Sequence, residues 1–323
     1  MKNIKYFTVL FLLLVSNSVF TQEIYTVYYP PATDSILLNK QIQNGNLDLR
    51  EIDNFPFDKI YSKNKNITSL KIQSSYKLDK LTENINKFKS LNYVEISNVK
   101  LSEFPVGLCY IDGLTTLYYS STQTTHIPNE IGKLKNLKIL RFEIIPIKEI
   151  PKEIGNLKNL EELSIVNTWG RWIIADVGFN LEGVNYLPKE IGQLKALKKL
   201  SLAKNNLIEI PKEVGLLSNL VYISLYGNNL KKIPIEIYNL QNLEELDLSS
   251  NSLENIPEEI GNLKKLEVLN LYNTKLKTLP KSIKNLKNLK RLIVEKNEIS
   301  ETELIELKKE LPNTEIYNGK IIK

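Results

Sequence analysis

Leucine and other apolar residues recur along most of the chain in one pattern, L-x-x-L-x-L-x-x-N-x-L. The clearest copy consists of Leu243, Leu246, Leu248, Asn251 and Leu253. Its central L-x-L places alternate side chains on one side of an extended backbone, which predicts a short β-strand with one buried face. The residues between the leucines are then expected to point outward.

The pattern belongs to a repeat of 23 residues. The string IPKEIGNLKNLEELSI begins at Ile150, and close copies begin at Leu187, Ile210, Ile233 and Ile256. One proline marks the same place in eight repeats: Pro105, Pro128, Pro151, Pro188, Pro211, Pro234, Pro257 and Pro280. These prolines are 23 residues apart except for the third and fourth, which are 37 apart, so one repeat contains 14 additional residues. Ten copies of the unit start at Ile67, Leu91, Leu114, Leu137, Leu160, Leu197, Leu220, Leu243, Leu266 and Leu289.

The segment PKEIGNLKNL before the strand favours a short helical turn. Proline suits a first helical position, and Ile154, Leu157 and Leu160 are spaced three apart, as on one side of a tight helix. A single repeat cannot bury its own leucines, whereas stacked repeats bury them all. The sequence therefore predicts an α/β solenoid, a curved stack with a parallel sheet on the concave face and short helical turns on the convex face. A degenerate strand at residues 47–49 falls one period before the first unit.

The asparagine of the motif is expected to satisfy buried backbone groups. It is present as Asn205, Asn228, Asn251 and Asn297. A buried amide can donate to and accept from backbone groups that a tight turn leaves unpaired. Other repeats hold Ser75, Thr122, Thr168 and Thr274 at this position, and these can do part of the same work. Val99 and Ile145 cannot, so we expect those two repeats to be looser.

The motif LPKEIGQLKALKKLSLAKNNL, which begins at Leu187, resembles the 23-residue LPxEIGxL unit of the bacterial and plant intracellular-type leucine-rich-repeat family. The resemblance covers about residues 67–299 and is specific because the motif repeats in phase. It implies an interaction scaffold that typically binds proteins through its concave face. The family signature does not specify the partner.

Residues 1–21 have the pattern of a secretory signal peptide. Two lysines precede a short apolar run at residues 7–15, and cleavage after Ser18 or Thr21 would follow a small residue. The apolar run is shorter than the ~20 residues that a membrane-spanning helix needs, and no later segment is apolar enough to span. We therefore expect a secreted, periplasmic or cell-envelope protein with no membrane insertion after cleavage.

The remaining chain divides into three segments. Residues 22–58 are predicted to form an N-terminal cap, and residues 59–299 about ten leucine-rich repeats with the 14-residue insertion at residues 170–183. Residues 300–323 are predicted to form a C-terminal cap. In that cap, Ser300 and Glu303 have the spacing of a capping box before an amphipathic helix. A final edge strand is predicted at residues 315–317.

Charge and cysteine content narrow the range of partners and compartments. The chain has 43 basic and 37 acidic residues among its 323, and the two signs alternate along most repeats. Only residues 275–296 are locally basic, and we interpret that run as solvated surface, because secretion disfavours a nucleic-acid target. Cys109 is the only cysteine, so no intramolecular disulfide can form. A secreted chain so poor in cysteine favours a bacterial over an animal origin.

The sequence offers no recognisable site for catalysis, a metal or a cofactor. His126 is the only histidine, and no motif supplies a nucleophile and an orienting acid beside it. One histidine and one cysteine are too few for a transition-metal site of the His/Cys type. The glutamates that follow the repeat prolines lie among lysines, which is typical of a solvated face rather than of paired glycosidase carboxylates. We therefore expect a monomeric protein that is not an enzyme.

The residues between the buried leucines predict three columns of outward side chains on the concave face. The first column contains Tyr93, Thr116, Ile139, Glu162, Lys199, Tyr222, Glu245, Val268 and Arg291. The second contains Glu95, Tyr118, Arg141, Ser164, Ser201, Ser224, Asp247, Asn270 and Ile293. The third contains Ser97, Ser120, Glu143, Val166, Ala203, Tyr226, Ser249, Tyr272 and Glu295. Exposed aromatics with small neighbours are typical of a recognition surface.

Within these columns, Tyr222, Tyr226 and Tyr272 are expected to lie together, since two repeats are only about 10 Å apart. Asp247 and Asn270 lie near them. This group is the predicted partner-binding surface for a protein ligand. An alternative hypothesis is a carbohydrate-binding module, in which flat aromatic rings stack on sugars beside an acid or amide.

The insertion is a second candidate for binding. It reads GRWIIADVGFNLEG, and the only two tryptophans, Trp169 and Trp172, flank Arg171. Insertions in repeat proteins map to loops and often carry binding residues. The alternative is that the apolar side chains only pack the loop on the solenoid. The sequence as a whole thus predicts a secreted, non-catalytic module that binds a protein through the concave face and the 169–183 loop.

Overall fold

The computed structural model of the chain describes residues 42–43, 45–50, 66–73, 84–121, 123–167 and 183–323. Within these ranges thirteen strands form one sheet, and their order in space follows their order in the sequence. The strands are Ile42–Gln43 (β1), Asn46–Arg50 (β2), Ser69–Gln73 (β3), Tyr93–Val99 (β4), Thr116–Ser121 (β5), Ile139–Glu143 (β6), Glu162–Val166 (β7), Lys199–Ser201 (β8), Tyr222–Ser224 (β9), Glu245–Asp247 (β10), Val268–Asn270 (β11), Arg291–Ile293 (β12) and Glu315–Tyr317 (β13).

The sheet has the parallel pairing that the repeats predict. Each neighbouring pair from β2 to β13 is parallel, and only the short β1 runs antiparallel to β2. The degenerate strand predicted at residues 47–49 lies within β2, so the stack extends one period before the regular units. Leu160, Leu163 and Ile165 of one repeat are fully buried, as the alternation predicts.

Short helical turns alternate with the strands. They are the 3-10 helices Ile85–Lys87 (η1), Val106–Tyr110 (η2), Asn129–Lys133 (η3), Lys152–Asn156 (η4), Lys189–Gln193 (η5), Lys212–Leu216 (η6), Ile235–Asn239 (η7), Glu258–Asn262 (η8) and Lys281–Asn285 (η9). The repeat proline precedes the turn and is not its first residue. Pro151, for example, is extended (φ −64°, ψ 143°), and its carbonyl accepts the amide of Ile154 at 3.0 Å.

Adjacent turns pack so closely that most repeats need a glycine. A Cβ atom on Gly215 would lie 2.5 Å from the carbonyl oxygen of Glu236 in the next turn, well inside van der Waals contact. This contact explains the glycine of the E-I-G motif. Cys109 occupies the same position in η2, where it is buried, and burial raises the pKa of its thiol to about 12.

Tyr238 also occupies this glycine position, and its ring is completely buried. Its hydroxyl has no hydrogen-bond partner among the described residues. Burial raises the pKa of this phenol, and the charge of Glu259 adds to the effect. We expect Tyr238→Phe to stabilise the protein by about 1 kcal/mol, because it removes an unpaired buried polar atom and keeps the ring. Urea denaturation of the two proteins measures the difference.

The matched control for that prediction is Tyr119→Phe. Tyr119 is equally buried, but its hydroxyl forms a 2.6 Å hydrogen bond with Thr124 Oγ1. The control is expected to destabilise the protein by about 1 kcal/mol, since it breaks a satisfied bond. If the two substitutions shifted the denaturation midpoint in the same direction, the unpaired hydroxyl of Tyr238 would not be the cause.

The predicted asparagine ladder is confirmed. The buried Asn251 Oδ1 accepts the amide of Leu230 at 3.0 Å, and its Nδ2 donates to the carbonyls of Leu225 (3.0 Å) and Leu248 (2.9 Å). Asn228 and Asn297 make the same set of bonds one repeat earlier and two repeats later. One side chain thus joins the backbones of two successive repeats.

The residue before the ladder position has a left-handed backbone in seven of the described repeats. These residues are Asn98, Ile144, Lys204, Gly227, Ser250, Asn273 and Lys296, with φ between 52° and 68°. This conformation turns the chain away from the extended direction. From β8 onward the paired strands are only three residues long.

Val99 and Ile145, which cannot make the ladder bonds, are both buried. The pairing of β4 with β5 shifts register between Ile96 and Val99, an irregularity at the first of these two positions. That the repeat of Ile145 is looser stays a prediction. In the repeat before the insertion, Asn167 carries the ladder contact, and its Oδ1 accepts the amide of Ile145 at 3.0 Å. Thr168, which the spacing placed there, lies outside the described residues.

Asn205 joins the two ends of the inserted segment. Its Oδ1 accepts Asn167 Nδ2 at 3.0 Å on the outgoing side and the amide of Val184 at 3.1 Å on the returning side. Its Nδ2 donates to the carbonyls of Ile165 (2.8 Å) and Leu202 (3.0 Å). All of these bonds are buried.

The C-terminal cap matches its prediction in most respects. Helix α1 (Glu301–Glu310) begins after Ser300, whose Oγ accepts the amide of Glu303 at 3.2 Å. The Glu303 carboxylate does not complete a capping box; it accepts the amide of Leu279 in the preceding repeat at 2.7 Å. The predicted edge strand is β13. None of the helices in the described ranges combines the length and hydrophobicity needed to cross a membrane.

Candidate ligand-binding face

The strand pairing places the first two predicted columns in register across the sheet. In the first, Glu162 pairs with Lys199 and Lys199 with Tyr222; in the second, Glu95 pairs with Tyr118. Lys71 and Gln73 of β3 extend the second and third columns by one strand. We call these outward side chains of β3 to β12 the strand face.

One end of the strand face carries a connected set of charged and aromatic side chains that starts at Glu95. The Tyr93 hydroxyl donates to Glu95 Oε2 at 2.7 Å, and Gln73 Nε2 donates to Oε1 at 3.1 Å. Lys71 Nζ lies 3.4 Å from Oε2 and 5.3 Å from the centre of the Tyr93 ring. The carboxylate is therefore held by three donors, two from β3 and one from its own strand, β4.

The set continues across β5 to β7. The Tyr93 and Tyr118 rings meet edge to face, with centroids 5.6 Å apart. The guanidinium of Arg141 lies 4.9 Å from the centre of the Tyr118 ring, a cation–π contact. Arg141 Nε donates a short hydrogen bond to Glu162 Oε1. Five strands are thus linked by side chains alone.

A cavity of about 210 Å³ opens within this set. It is lined by Glu95, Ile96, Ser97, Tyr118, Tyr119, Ser120, Arg141 and Glu143. Sites for whole small molecules usually occupy roughly 300–1,000 Å³. This cavity is therefore closer to the size of one side chain of a larger ligand.

The acid–base properties of the set follow from partial burial. Burial alone would raise the pKa of Glu95, but the Tyr93 hydroxyl, Lys71 and Gln73 outweigh it, so the pKa lies below its usual value. Burial raises the pKa of Tyr93, and its bond to Glu95 adds to the effect. Burial disfavours the charge of Arg141, yet the bond to Glu162 raises its pKa overall. At neutral pH Glu95 and Arg141 are charged and Tyr93 is neutral.

The depressed pKa of Glu95 predicts a pH-dependent contribution to stability. A carboxyl group whose pKa is lower in the folded than in the unfolded state stabilises the fold above the unfolded value, about 4.3 for glutamate, and loses this effect as pH falls through the folded value. We expect Glu95→Gln to lower the thermal midpoint at pH 7 and to have a much smaller effect near pH 3. Thermal denaturation of both proteins at the two pH values measures this. An equal loss at both would mean that the charge of Glu95 is not responsible.

Three of the five concave-face candidates from the sequence lie in the other half of the sheet, Tyr222 on β9, Asp247 on β10 and Asn270 on β11. Tyr226 and Tyr272 lie in the turns that follow β9 and β11. Tyr226 and Tyr272 each pack under a lysine, with Lys204 Nζ 4.8 Å and Lys296 Nζ 5.1 Å from the respective ring centres. Among the described residues no ring contact joins either tyrosine to the other or to Tyr222. The three rings therefore form separate contact points rather than one aromatic cluster.

Asp247 and Asn270 also have local structural partners. Asp247 Oδ1 accepts the amide of Ser249 at 2.9 Å, and Asn270 Oδ1 accepts the amide of Tyr272 at 3.1 Å. Burial raises the pKa of Asp247, partly opposed by hydrogen bonds from Ser249 and Asn270. Burial likewise raises the pKa of Tyr222. Both polar side chains thus support the turn after the strand as well as the surface.

The remaining candidates, Trp169, Arg171 and Trp172, lie outside the described residues. What the structure describes is the base of their segment, where Gly183 packs against the Asn167–Asn205 pair. A Cβ atom on Gly183 would lie 2.8 Å from Asn205 Oδ1.

Side chains suited to chemistry are sparse in the described part of the chain. His126 is exposed, and its Nδ1 lies 2.7 Å from the hydroxyl of its neighbour Thr125. No group of three or more His, Cys, Asp or Glu residues that could hold a metal ion occurs among the described residues.

Sequence reasoning placed Tyr93, Glu95, Tyr118 and Arg141 in the outward columns but did not select them. The signal that could have selected them is an outward tyrosine in each of two successive repeats. Each tyrosine lies one strand away from a charged residue in the same column or in the adjacent column. Such neighbours lie about 4.8 Å apart across a sheet, close enough for side chains to bond.

Comparison with known proteins gives a consistent family assignment. The family model described as "Leucine-rich repeat region" matches residues 66–178, 175–254 and 246–312. No significant match is found among curated proteins.

Among solved structures, the chain is similar to a TDR receptor with 28% identity and a TM-score of 0.56, over 81% of this chain and 49% of the receptor chain. It is similar to the plant peptide hormone receptor RGFR1 in complex with RGF2, with 24% identity and a TM-score of 0.50, over 86% and 49% of the two chains. It is also similar to a leucine-rich-repeat protein of Leptospira interrogans, with 26% identity and a TM-score of 0.37, over 90% and 100%. The chain spans about half the length of the two receptor chains.

Proposed function

Since the chain belongs to the leucine-rich-repeat family, we propose that it is a secreted, non-catalytic binding module that takes a protein or peptide ligand on its strand face and its 169–183 loop. Members of this family are typically interaction scaffolds rather than enzymes. The two receptor structures favour a protein ligand, one of them being a peptide hormone receptor in complex with RGF2.

The observation that carries the proposal is the linked set of side chains from Lys71 to Glu162. It combines two tyrosines and an arginine, which are residue types enriched in protein interfaces. Hydrogen bonds and ring contacts hold these side chains before any ligand arrives, so less side-chain freedom is lost on binding. Neither receptor structure named above is described as a sugar binder, so these comparisons do not support the carbohydrate hypothesis.

Selection of a displayed peptide library against the mature chain, residues 22–323, tests this function. Selected peptides are measured by fluorescence anisotropy against three paired-alanine variants: Tyr118/Arg141, Tyr226/Tyr272 and Trp169/Trp172. Lys152→Ala, an exposed residue of the η4 turn, is the matched control. We expect binding to the parent and the control, and a loss of roughly tenfold or more in at least one paired variant that remains folded by circular dichroism.

Two results would contradict the proposal. Peptides that bind all three paired variants as tightly as the parent would move the site away from the strand face and the loop. If binding were seen only on a glycan array tested in parallel, the ligand would be a sugar rather than a protein.

Secretion is the second part of the proposal and rests on residues 1–21, which lie outside the described residues. Expression of the full chain in a bacterial host, followed by N-terminal sequencing of the exported protein, tests it. We expect the mature chain to begin at Gln22 or Val19. A chain retained inside the cell at full mass would contradict export.

A further inference from the structure

The cavity on the strand face has an unequal balance of charge. Two carboxylates, Glu95 and Glu143, line the cavity against one positive charge, that of Arg141. Lys71 and Glu162, which pair with Glu95 and Arg141, add one charge of each sign outside the cavity. The surplus is local, because the whole chain has an excess of six basic residues.

Both positive charges already have carboxylate partners, and the Arg141 guanidinium also lines the cavity, over the Tyr118 ring. Lys71 approaches Glu95 from β3, and Arg141 bonds Glu162 on β7, on the side away from β4. Each cation therefore has a carboxylate partner of its own. Neither approaches Glu143 within ion-pair distance.

Glu143 is the carboxylate left over. It is exposed at the end of β6, lines the cavity, and forms no ion pair with any described residue. Glu95 lines the opposite side from β4, and Tyr118 and Ser120 of β5 lie between them. Two strand spacings, about 9.6 Å, separate β4 from β6, so a cation between the two carboxylates would lie within about 5 Å of each strand.

We propose that this cavity receives one lysine or arginine side chain of an extended peptide ligand, with Glu143 as its main ionic partner and Glu95 as the second. The cavity volume suits one side chain. The stem of a lysine or arginine would cross the cavity over Ser97 and Ser120, because Arg141 already covers the Tyr118 ring, while its charged end reaches the carboxylates. This inference rests on the proposed function, and it names the chemistry of the ligand at one position.

A positional-scanning library of acetylated, amidated octapeptides, in which one position is fixed while the others vary, is the probe. We expect the parent to favour Lys and Arg over Leu and over Asp and Glu at one position. Glu143→Gln should reduce that preference roughly tenfold and leave the preferences at other positions unchanged. Glu143→Lys should reverse it in favour of Asp and Glu.

Two controls isolate the charge of Glu143. Glu209→Gln makes the same chemical change at an exposed glutamate outside the strands and should keep the parent's preference. The preference for basic residues should also weaken as NaCl rises from about 50 mM to about 500 mM, because salt screens exposed charges.

The outcomes separate this inference from the proposed function. Selected peptides with no basic preference, or with one that Glu143→Gln leaves intact, would overturn the inference while peptide binding stands. An acidic preference in the parent would overturn it directly. A parent that selects no peptide at any position would overturn both.

Discussion

Replacing Asn205 with alanine is expected to lower the free energy of unfolding by about 3 kcal/mol and to increase cleavage within residues 168–182. Asn205 is 4% exposed, and its Oδ1 accepts bonds from the Asn167 side chain before the inserted segment and from the Val184 backbone amide after it. Alanine would leave the Val184 amide and the Ile165 and Leu202 carbonyls without these partners in a buried environment. Each unsatisfied buried group costs about 1–3 kcal/mol, and relaxation offsets part of the total.

Urea denaturation and limited proteolysis measure the two effects separately. Asn251→Ala is the matched control, because Asn251 makes the regular ladder bonds in a repeat without extra chain. It should destabilise the protein by about 2 kcal/mol without a selective increase in cleavage at residues 168–182. Asn242→Ala removes an exposed bond to the Ser218 carbonyl and should change stability by less than about 1 kcal/mol. Equal cleavage in the Asn205 and Asn251 variants would show that Asn205 does not fix the ends of the insertion.

Gly215→Ala is expected to destabilise the protein by about 3 kcal/mol, because the added methyl group has no space between two turns. It would lie 2.5 Å from the carbonyl oxygen and 2.6 Å from the Cβ atom of Glu236. Backbone cannot rotate away as the end of a flexible side chain can, so η6 and η7 would have to separate. That separation would also expose apolar side chains beneath the turns.

Thermal and urea denaturation test this prediction against Gly113→Ala. At Gly113 the nearest atom to an added Cβ is the Leu91 carbonyl oxygen at 3.3 Å, which a small shift can accommodate. The control should lose less than about 1 kcal/mol. If the Gly215 variant were no less stable than the Gly113 variant, close approach of the turns would not explain the glycine of E-I-G.

The fold was predictable because the same residue pattern, and therefore the same local structure, recurs in each repeat. The in-phase leucines predicted the parallel stack, and the alternation between them predicted which side chains of β3 to β12 face outward. The register then follows from the constant spacing, since a slip of one residue would bury the polar column. The asparagine ladder was predictable for the same reason.

One departure arises where the period is interrupted. The spacing placed Thr168 at the ladder position before the insertion, whereas Asn167, one residue earlier, accepts the ladder bond from Ile145. A second departure lies in a repeat of regular spacing: Tyr238 stands where most repeats have glycine, and the structure accommodates its buried ring.

The position of the candidate site on the outward columns was predictable from the sequence, but the residues that contact each other within it were not. Columns can be drawn from the sequence, whereas the bond from Arg141 to Glu162 or from Tyr93 to Glu95 depends on side-chain rotamers. Tyr226 and Tyr272, which were selected as exposed aromatics with small neighbours, pack under lysines of adjacent repeats instead of against each other. A periodic pattern does not specify which of several neighbours a side chain contacts.

The in-register columns of the strand face also set a fixed spacing for any extended peptide that crosses the strands at right angles. Strands repeat about every 4.8 Å, whereas side chains on one side of an extended peptide repeat about every 6.8 Å. The two spacings match, to within about 1 Å, after three strands and four peptide residues. A crossing peptide can therefore place its side chains in equivalent positions on the strands only at residues four apart. A peptide motif recognised by this protein should have that spacing.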